Sequence, residues 1–363
     1  MKVLHVDTAL SWRGGQNQVL LSARGMAARG QEVRVACRKG GALAERVRAE
    51  GLSAALVGFR GDLWPPAVLS LARVLRSFRP DVVQLHDPHA VTAGLLALRL
   101  APGPAVVATR RVDFPLRGPL SRWKFGACGR VIAASRAIAD VLEAGGLPRD
   151  RVRVVYEGVP DRRAAAGGDE ALRGLGIPEG SLVIGNVAAL TGHKDHGTLL
   201  RAAALVLGRV PRARFVILGE GEKRSSLERE ARELGLGDRC VFAGFRADLD
   251  RLLPRFALFC LSSRLEGLGT SLLDAMCFGV PIVATAAGGI PEAVEDGVTG
   301  RLVPPGDAAA LAGALVELLE DEGRRLAMAA AGRRRFEERF SVDRMLDETL
   351  RVYGELVGCS ARS

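Results

Sequence analysis

Two acidic residues, Glu266 and Asp274, bracket the run Gly267-Leu268-Gly269-Thr270-Ser271 with seven residues between them. Ionised carboxylates only accept hydrogen bonds, so their fitting partners are hydroxyl donors such as the diols of ribose or a hexose. Gly267 and Gly269 let the backbone turn its N–H groups outward beside a helix start, where a phosphate or another anion is favoured. An anion cradle next to diol acceptors describes a sugar-nucleotide site. Lys194, in the loop Gly192-His193-Lys194-Asp195-His196, adds a compact positive charge able to neutralise a diphosphate. A second glycine turn, Arg13-Gly14-Gly15, has the chemistry of a phosphate or sugar approach but lacks the G-x-G-x-x-G pattern of a dinucleotide site. In His86-Asp87-Pro88-His89, two of the chain's five histidines flank a carboxylate, a turn that serves either the chemistry or packing. Arg110 and Arg111 follow the next apolar run.

The elements that must carry these residues alternate. Apolar runs at 2–7, 32–37, 54–57, 81–85, 105–109, 130–135 and 152–156 read as strands of a first sheet, with helices at 16–29, 42–50 and 67–79. A second series starts at 182–187 and continues through 214–218, 239–242, 257–261 and 300–303. Thr270 is expected to cap a helix over 271–278 that Gly279 ends. Helices at 307–319, 322–339 and 342–357 finish the chain. This alternation argues for two doubly wound α/β domains with a cleft between them, and chemistry at the carboxyl ends of the strands. The expected boundaries are 1–160 and 161–340, with a terminal helix and tail over 341–363; the charged, Ala/Gly-rich run 161–170 marks the junction.

The stretch from Glu266 to Asp307 resembles the donor-binding segment of the retaining glycosyltransferases of family 4, the group 1 glycosyl transferases of GT-B fold. That family carries a Glu-x7-Glu pair, a Gly-Pro-Val-like strand, a Gly-Gly turn followed by Glu, and a Gly-x-x-Gly loop; here the second member of the pair is the shorter Asp274. The resemblance covers most of the chain, strongest over 182–307. It implies that the terminal helix crosses back onto the first domain, and that transfer proceeds from one face with the departing phosphate assisting the acceptor hydroxyl. It places Glu266 on the transferred sugar, Asp274 on the ribose and Lys194 on the leaving diphosphate. It also implies that Gly14, Gly15, Gly219, Gly244, Phe245, Arg264, Leu268 and the amides of Gly269 to Ser271 line the donor. His86 joins Glu266 and Lys194 as a catalytic residue, and Asp87, His89, Arg110 and Arg111 meet the acceptor. The sequence departs from the pattern at Ala189, where a phosphate-binding Arg is expected, and at Arg111, which replaces a His; Arg264 or Arg13 is the expected substitute cation.

Charge and composition frame the partners. Residues 1–160 hold 24 Lys and Arg against 12 Asp and Glu, the remainder 27 against 29, so the excess of +10 lies in the first half. That points to an anionic glycan or lipid-linked acceptor, such as one of lipopolysaccharide or other cell-envelope synthesis. The segment 110–130 interleaves Arg117, Arg122 and Lys124 with Phe114, Trp123 and Phe125, either an interfacial or acceptor-docking surface, able to meet an anionic membrane, or a solvated face over buried aromatics. Nucleic acid is not an expected partner. Asp248-Leu249-Asp250 reads as a helix start rather than a metal motif, and no metal or other cofactor is expected. Six cysteines without ligand spacing, no membrane-spanning run and a strand at the N-terminus in place of a signal peptide suit a cytoplasmic enzyme, peripheral to the inner membrane face at most. Two other functions share the same cleft, a GT-B sugar-nucleotide epimerase and a non-catalytic sugar-nucleotide-binding protein.

Overall fold

Apolar runs too short for helices and buried on both faces form two all-parallel sheets. The computed structural model describes residues 1–61, 64–116, 118–163 and 170–360, with side chains to residue 358. The chain divides into two units, Met1–Gly158 with Val342–Ser363, and Val159–Ser341. The helix Val342–Ser360 is grouped with the first unit, the return that the family resemblance implies for it.

In unit 1 the strands are β1 (Lys2–Asp7), β2 (Glu32–Arg38), β3 (Ser53–Val57), β4 (Val82–Leu85), β5 (Ala105–Arg110), β6 (Arg130–Ala133) and β7 (Val152–Val154), in the order β3-β2-β1-β4-β5-β6-β7. Side chains alternate across the sheet. Leu4, Val6 and Leu85 pack with Leu71 and Val91 of the helices Pro65–Phe78 and Pro88–Leu100. Val3, Val35 and Val82 pack on the other face with Val19 of Gly14–Ala28 and with Leu346 and Tyr353 of the terminal helix. The helix Pro88–Leu100 was not anticipated. Asp87 caps it through the amides of His89 and Ala90, and Pro88 presets its first turn.

Unit 2 contains β8 (Leu182–Val187), β9 (Ala213–Leu218), β10 (Cys240–Gly244), β11 (Leu258–Leu261), β12 (Ile282–Thr285) and β13 (Gly300–Val303), ordered β10-β9-β8-β11-β12-β13. Strand order reverses between β1 and β4 in one sheet and between β8 and β11 in the other. At such a reversal the loops leaving the carboxyl ends diverge and open a crevice. In unit 1 the loop after β4 carries His86, and the helix after β1 already opens at Gly14 and Gly15, which corrects the glycine turn expected there; in unit 2 the loops after β8 and β11 carry Lys194 and Glu266.

Candidate functional site

In unit 2 the loops after β8 and β11 are tied together by short contacts. Ser262 Oγ donates to Lys194 O at 3.0 Å, and Arg264 N donates to His193 O at 2.8 Å. Across them Lys194 Nζ forms an ion pair with Glu266 Oε2, to which Ser263 Oγ also donates at 3.1 Å. The two expected catalytic residues thus meet, with side chains only 17% and 12% exposed. The Gly289 amide donates to Glu266 O at 3.0 Å, fixing the Gly288-Gly289 turn to the same loop. Below lies a buried polar link. Asn186 Nδ2 donates to Cys260 O at 2.8 Å, and its Oδ1 faces His196 Nε2 at 3.1 Å. Since Oδ1 can only accept, Nε2 carries the hydrogen, and burial helped by Lys194 pushes the His196 pKa down to about 4.

Gly269 is left-handed at φ 87°, and the helix Thr270–Cys277 starts directly behind it with no side-chain cap. The glycine makes the turn, so Thr270 is already helical; this corrects its expected capping role. The first turn contains no acidic residue to offset the positive helix end, and the Leu272 amide turns back to Gly269 O at 2.9 Å. Thr270 and Ser271 are half-buried there, whereas Leu268 is in the core and can offer only backbone. Arg264 is 59% exposed and pairs with Asp195 at 2.7 Å.

Asp274, one turn on, is held by Arg162, which also reaches Asp250 at 3.1 Å. Burial raises the Asp274 pKa to about 6 against the pull of Arg162, and Asp250 adds to the rise. Asp248 is gripped by Arg246 instead, at 2.5 Å, so the two carboxylates of Asp248-Leu249-Asp250 serve different arginines. Among the described residues no three His, Cys, Asp or Glu side chains gather as metal ligands would. Gly219 and Gly244 are adjacent, the Gly219 amide donating to Gly244 O at 2.8 Å. A Cβ on Gly219 would stand 2.0 Å from Ala188 O, so its lack of a side chain serves the fold itself. Phe245 beside them is 62% exposed.

Unit 1 places its expected residues at the reversal between β1 and β4, yet engages most of them internally. Asp87 accepts from Thr8 N, Thr8 Oγ1 and the amides of His89 and Ala90, all within 2.9 Å. Its expected acceptor contact is thereby corrected to a helix cap and a latch on the β1 loop. His86 Nε2 lies 2.8 Å from His5 Nδ1, and the Arg111 guanidinium donates to His86 Nδ1 at 3.2 Å. With both ring nitrogens taken inside the fold, the catalytic role expected of His86 has no free nitrogen to serve it. Burial, with Arg111 beside them, pushes the pKa of His86 well down and that of His5 to about 3. Arg111 also pairs with Glu157 at 2.8 Å and packs beside Gly15, whose added Cβ would lie 3.9 Å from Arg111 Cδ. Arg110 is buried under Phe114 O and the Phe125 ring, with its Nε unpaired. His89 is exposed. Lys124, expected on a basic surface, is buried and donates to Pro88 O at 3.1 Å, while Phe114, Leu120 and Trp123 are exposed. Arg117 lies outside the described residues.

Sequence reasoning missed four participants: Ser263, Arg162, His5 and Glu157. Ser263 carried a signal, a hydroxyl three residues before Glu266. Arg162 looked like part of a polar junction, and His5 like one position in an alternating strand.

Comparison with known proteins gives two family models that share the chain, Glycosyltransferase Family 4 over residues 12–163 and Glycosyl transferases group 1 over residues 169–335. The 2-deoxystreptamine N-acetyl-D-glucosaminyltransferase of Streptomyces fradiae is 30% identical, over 90% of this chain and 89% of its own. The lipopolysaccharide core biosynthesis glycosyltransferase LpsE of Rhizobium meliloti is 28% identical, over 78% of each. Anabaena Alr3699/HepE, solved with UDP and glucose, superposes with a TM-score of 0.87 at 22% identity, covering 98% of this chain and all of that one.

Proposed function

Because the chain belongs to the group 1 glycosyl transferases and is a glycosyltransferase of GT-B fold, we propose that it takes a hexose-type sugar from a nucleotide diphosphate sugar and transfers it, with retention, to an anionic glycan or lipid-linked acceptor of the cell envelope. The observation that carries this reading is the Lys194–Glu266 pair at the β8/β11 reversal, beside a helix start with no side-chain cap and no acidic residue in its first turn. Lys194 and the amides from Gly269 to Ser271 then stabilise the charge that grows on the leaving diphosphate. Glu266 accepts hydroxyls of the transferred sugar and Asp274 those of the ribose. The bond from the sugar's anomeric carbon to phosphate breaks as the acceptor oxygen attacks the same face, and the acceptor proton passes to the departing phosphate oxygen. Before the donor binds, the ion pair keeps either half-buried charge from standing alone.

The donor is supported by a structural neighbour that holds UDP and glucose, and the envelope acceptor by the relative named for lipopolysaccharide core synthesis. Exposed Phe114, Leu120 and Trp123 on a unit with excess positive charge suit peripheral contact with an anionic membrane. No helix among the described residues is long and apolar enough to cross one.

A panel of UDP-, GDP- and ADP-sugars, read by thermal shift and by slow donor hydrolysis, tests the proposal. One donor is expected to stabilise the protein and be hydrolysed, with Lys194→Ala and Glu266→Ala each losing roughly 10²–10³ in turnover. Binding of no donor, or hydrolysis that ignores both substitutions, would remove this site from the chemistry.

A further inference from the structure

Immediately after the boundary at Val159, residues 160–163 run along the helix Thr270–Cys277 that opens behind the donor loop. Cys277 Sγ lies 3.7 Å from Pro160 O. Asp161 pairs at 2.5 Å with Arg333 of the helix Glu322–Arg339, so the chain leading into Arg162 is anchored. From there the Arg162 fork reaches two carboxylates at once, Asp250 at 3.1 Å through Nη1 and Asp274 Oδ1 through Nη2. Asp250 comes from the short helix Leu249–Leu252 and Asp274 from Thr270–Cys277, so one cation joins two elements that like charges would drive apart. All three side chains are mostly buried, at 31%, 25% and 17% exposure. The grip is on Oδ1 and leaves Asp274 Oδ2 for a hydroxyl donor.

We propose that Arg162 is a positioning residue of the donor site, which holds Asp274 as an oriented, ionised acceptor for the vicinal diol of the donor's ribose. This rests on the donor reading given above and adds to it a residue outside the matched motif. Arg162 touches no reacting atom. It acts by fixing one oxygen of Asp274 and by opposing both the burial and the Asp250 charge that would otherwise favour a proton there. Burial already raises the Asp274 carboxyl to about 6, so a change in either neighbour falls within an accessible pH range.

The test titrates UDP-glucose, GDP-mannose and ADP-glucose against the intact protein from pH 5 to 9, with unfolding melts alongside to confirm folding. Donor affinity of the unaltered protein is expected to fall about tenfold per pH unit below roughly 6, as Asp274 takes up its proton. Arg162→Gln should move that midpoint to higher pH and recover its affinity at pH 9. Asp250→Asn, which removes the competing carboxylate, should move the midpoint to lower pH, and Asp274→Asn should abolish it. A purely structural role would lower affinity equally at every pH. Unchanged midpoints in both Arg162→Gln and Asp250→Asn, or in whichever of them folds, would overturn the role of Arg162 even with Asp274→Asn behaving as expected. Full affinity in Asp274→Asn, or no donor bound by the unaltered protein, would instead remove the ribose assignment on which the role rests.

Discussion

At the carboxyl end of β4 a histidine that could have done chemistry is spent on the fold. Arg111 donates to Nδ1 of His86, so His86 carries its hydrogen on Nε2 and donates it in a hydrogen bond to Nδ1 of His5, which is fully buried. Residue types revealed Lys194 and Glu266 because a lysine in a chain that prefers arginine, and a carboxylate before paired glycines, have few other uses. They could not reveal that Asp87 is saturated by amides and Thr8, since the same Asp-Pro pair caps helices and lines clefts alike. The buried histidines carry a pH signature. An unfolded histidine takes up a proton below about 6.5, whereas His5 resists to about 3 and His196 to about 4. Between these values the unfolded state holds more protons, so stability falls as pH falls, by about 1.4 kcal/mol per pH unit for each such group. Asp274, raised to about 6, works in the opposite direction between pH 6 and 4, so a wild-type slope alone mixes the two. Urea unfolding at pH 7 and pH 5 of the wild type and of His5→Gln separates them. The variant should lose less stability on acidification, by roughly 2 kcal/mol over those two units. Equal losses would mean that His5 is protonated in the native protein.

The loop that presents Lys194 is shaped by its neighbour as much as by its own residues. β9 ends in Gly219-Glu220-Gly221, and an added Cβ at Gly221 would stand 2.3 Å from Leu190 O. The same turn bonds the loop twice, Leu190 N to Glu220 O at 2.9 Å and Lys223 N to Leu190 O at 3.0 Å. A carbonyl cannot swing aside as a side-chain tip can, so Gly221→Ala must displace the segment leading to Lys194. Overpacking of this kind costs about 1–3 kcal/mol, and donor affinity should fall with it although no polar group is removed. Gly208, inside the helix His196–Arg209, meets nothing within 4 Å, so Gly208→Ala should be neutral or gain up to about 1 kcal/mol. Melting curves of the two variants, with donor titrations, check the contrast, and a Gly221→Ala protein that melts and binds like the wild type would break the link. Strand–glycine turns were legible as elements because apolar runs ended by glycine have one common meaning. Their purpose was not, because a phosphate approaching a backbone and a carbonyl approaching it demand the same missing Cβ. The helix Pro88–Leu100 was missed for a related reason: its first residues were weighed as chemistry, although Asp followed by Pro is also a helix start.

Over the whole chain, alternation of strands and helices was enough to foresee two doubly wound sheets, and matching strand orders place a reversal in each. Which helix covers which face is a tertiary matter, because amphipathic periodicity marks an apolar stripe without naming its partner. The terminal helix shows the consequence. Met345, Leu346, Val352 and Tyr353 are buried against the face that Val3, Val35 and Val82 present, and a Cβ on Gly25 would lie 2.3 Å from Leu346 Cδ1. Ion pairs join its two ends to the unit, Asp343 and Asp347 with Arg29, and Glu355 with Arg130 and Arg153. The Tyr353 hydroxyl donates at 2.5 Å to Gln84 Oε1 of β4, whose Nε2 donates to Thr109 Oγ1 at 2.8 Å. Unit 1 is therefore completed by a segment that follows unit 2 in sequence, whereas the core of unit 2 is continuous. Tyr353→Ala is expected to cost about 3–5 kcal/mol through the cavity it leaves. Tyr353→Phe keeps the ring but strands a buried acceptor, for about 1–3 kcal/mol. Removing residues 342–363 should go further and uncover an apolar sheet face in unit 1 alone. Amide hydrogen exchange on that truncated chain should show β1, β2 and β4 losing protection while β8, β9 and β11 keep theirs. Equal protection in the two sheets would mean that the helix only decorates a unit already stable without it, whereas selective loss makes the helix Val342–Ser360 an integral part of the first domain's fold.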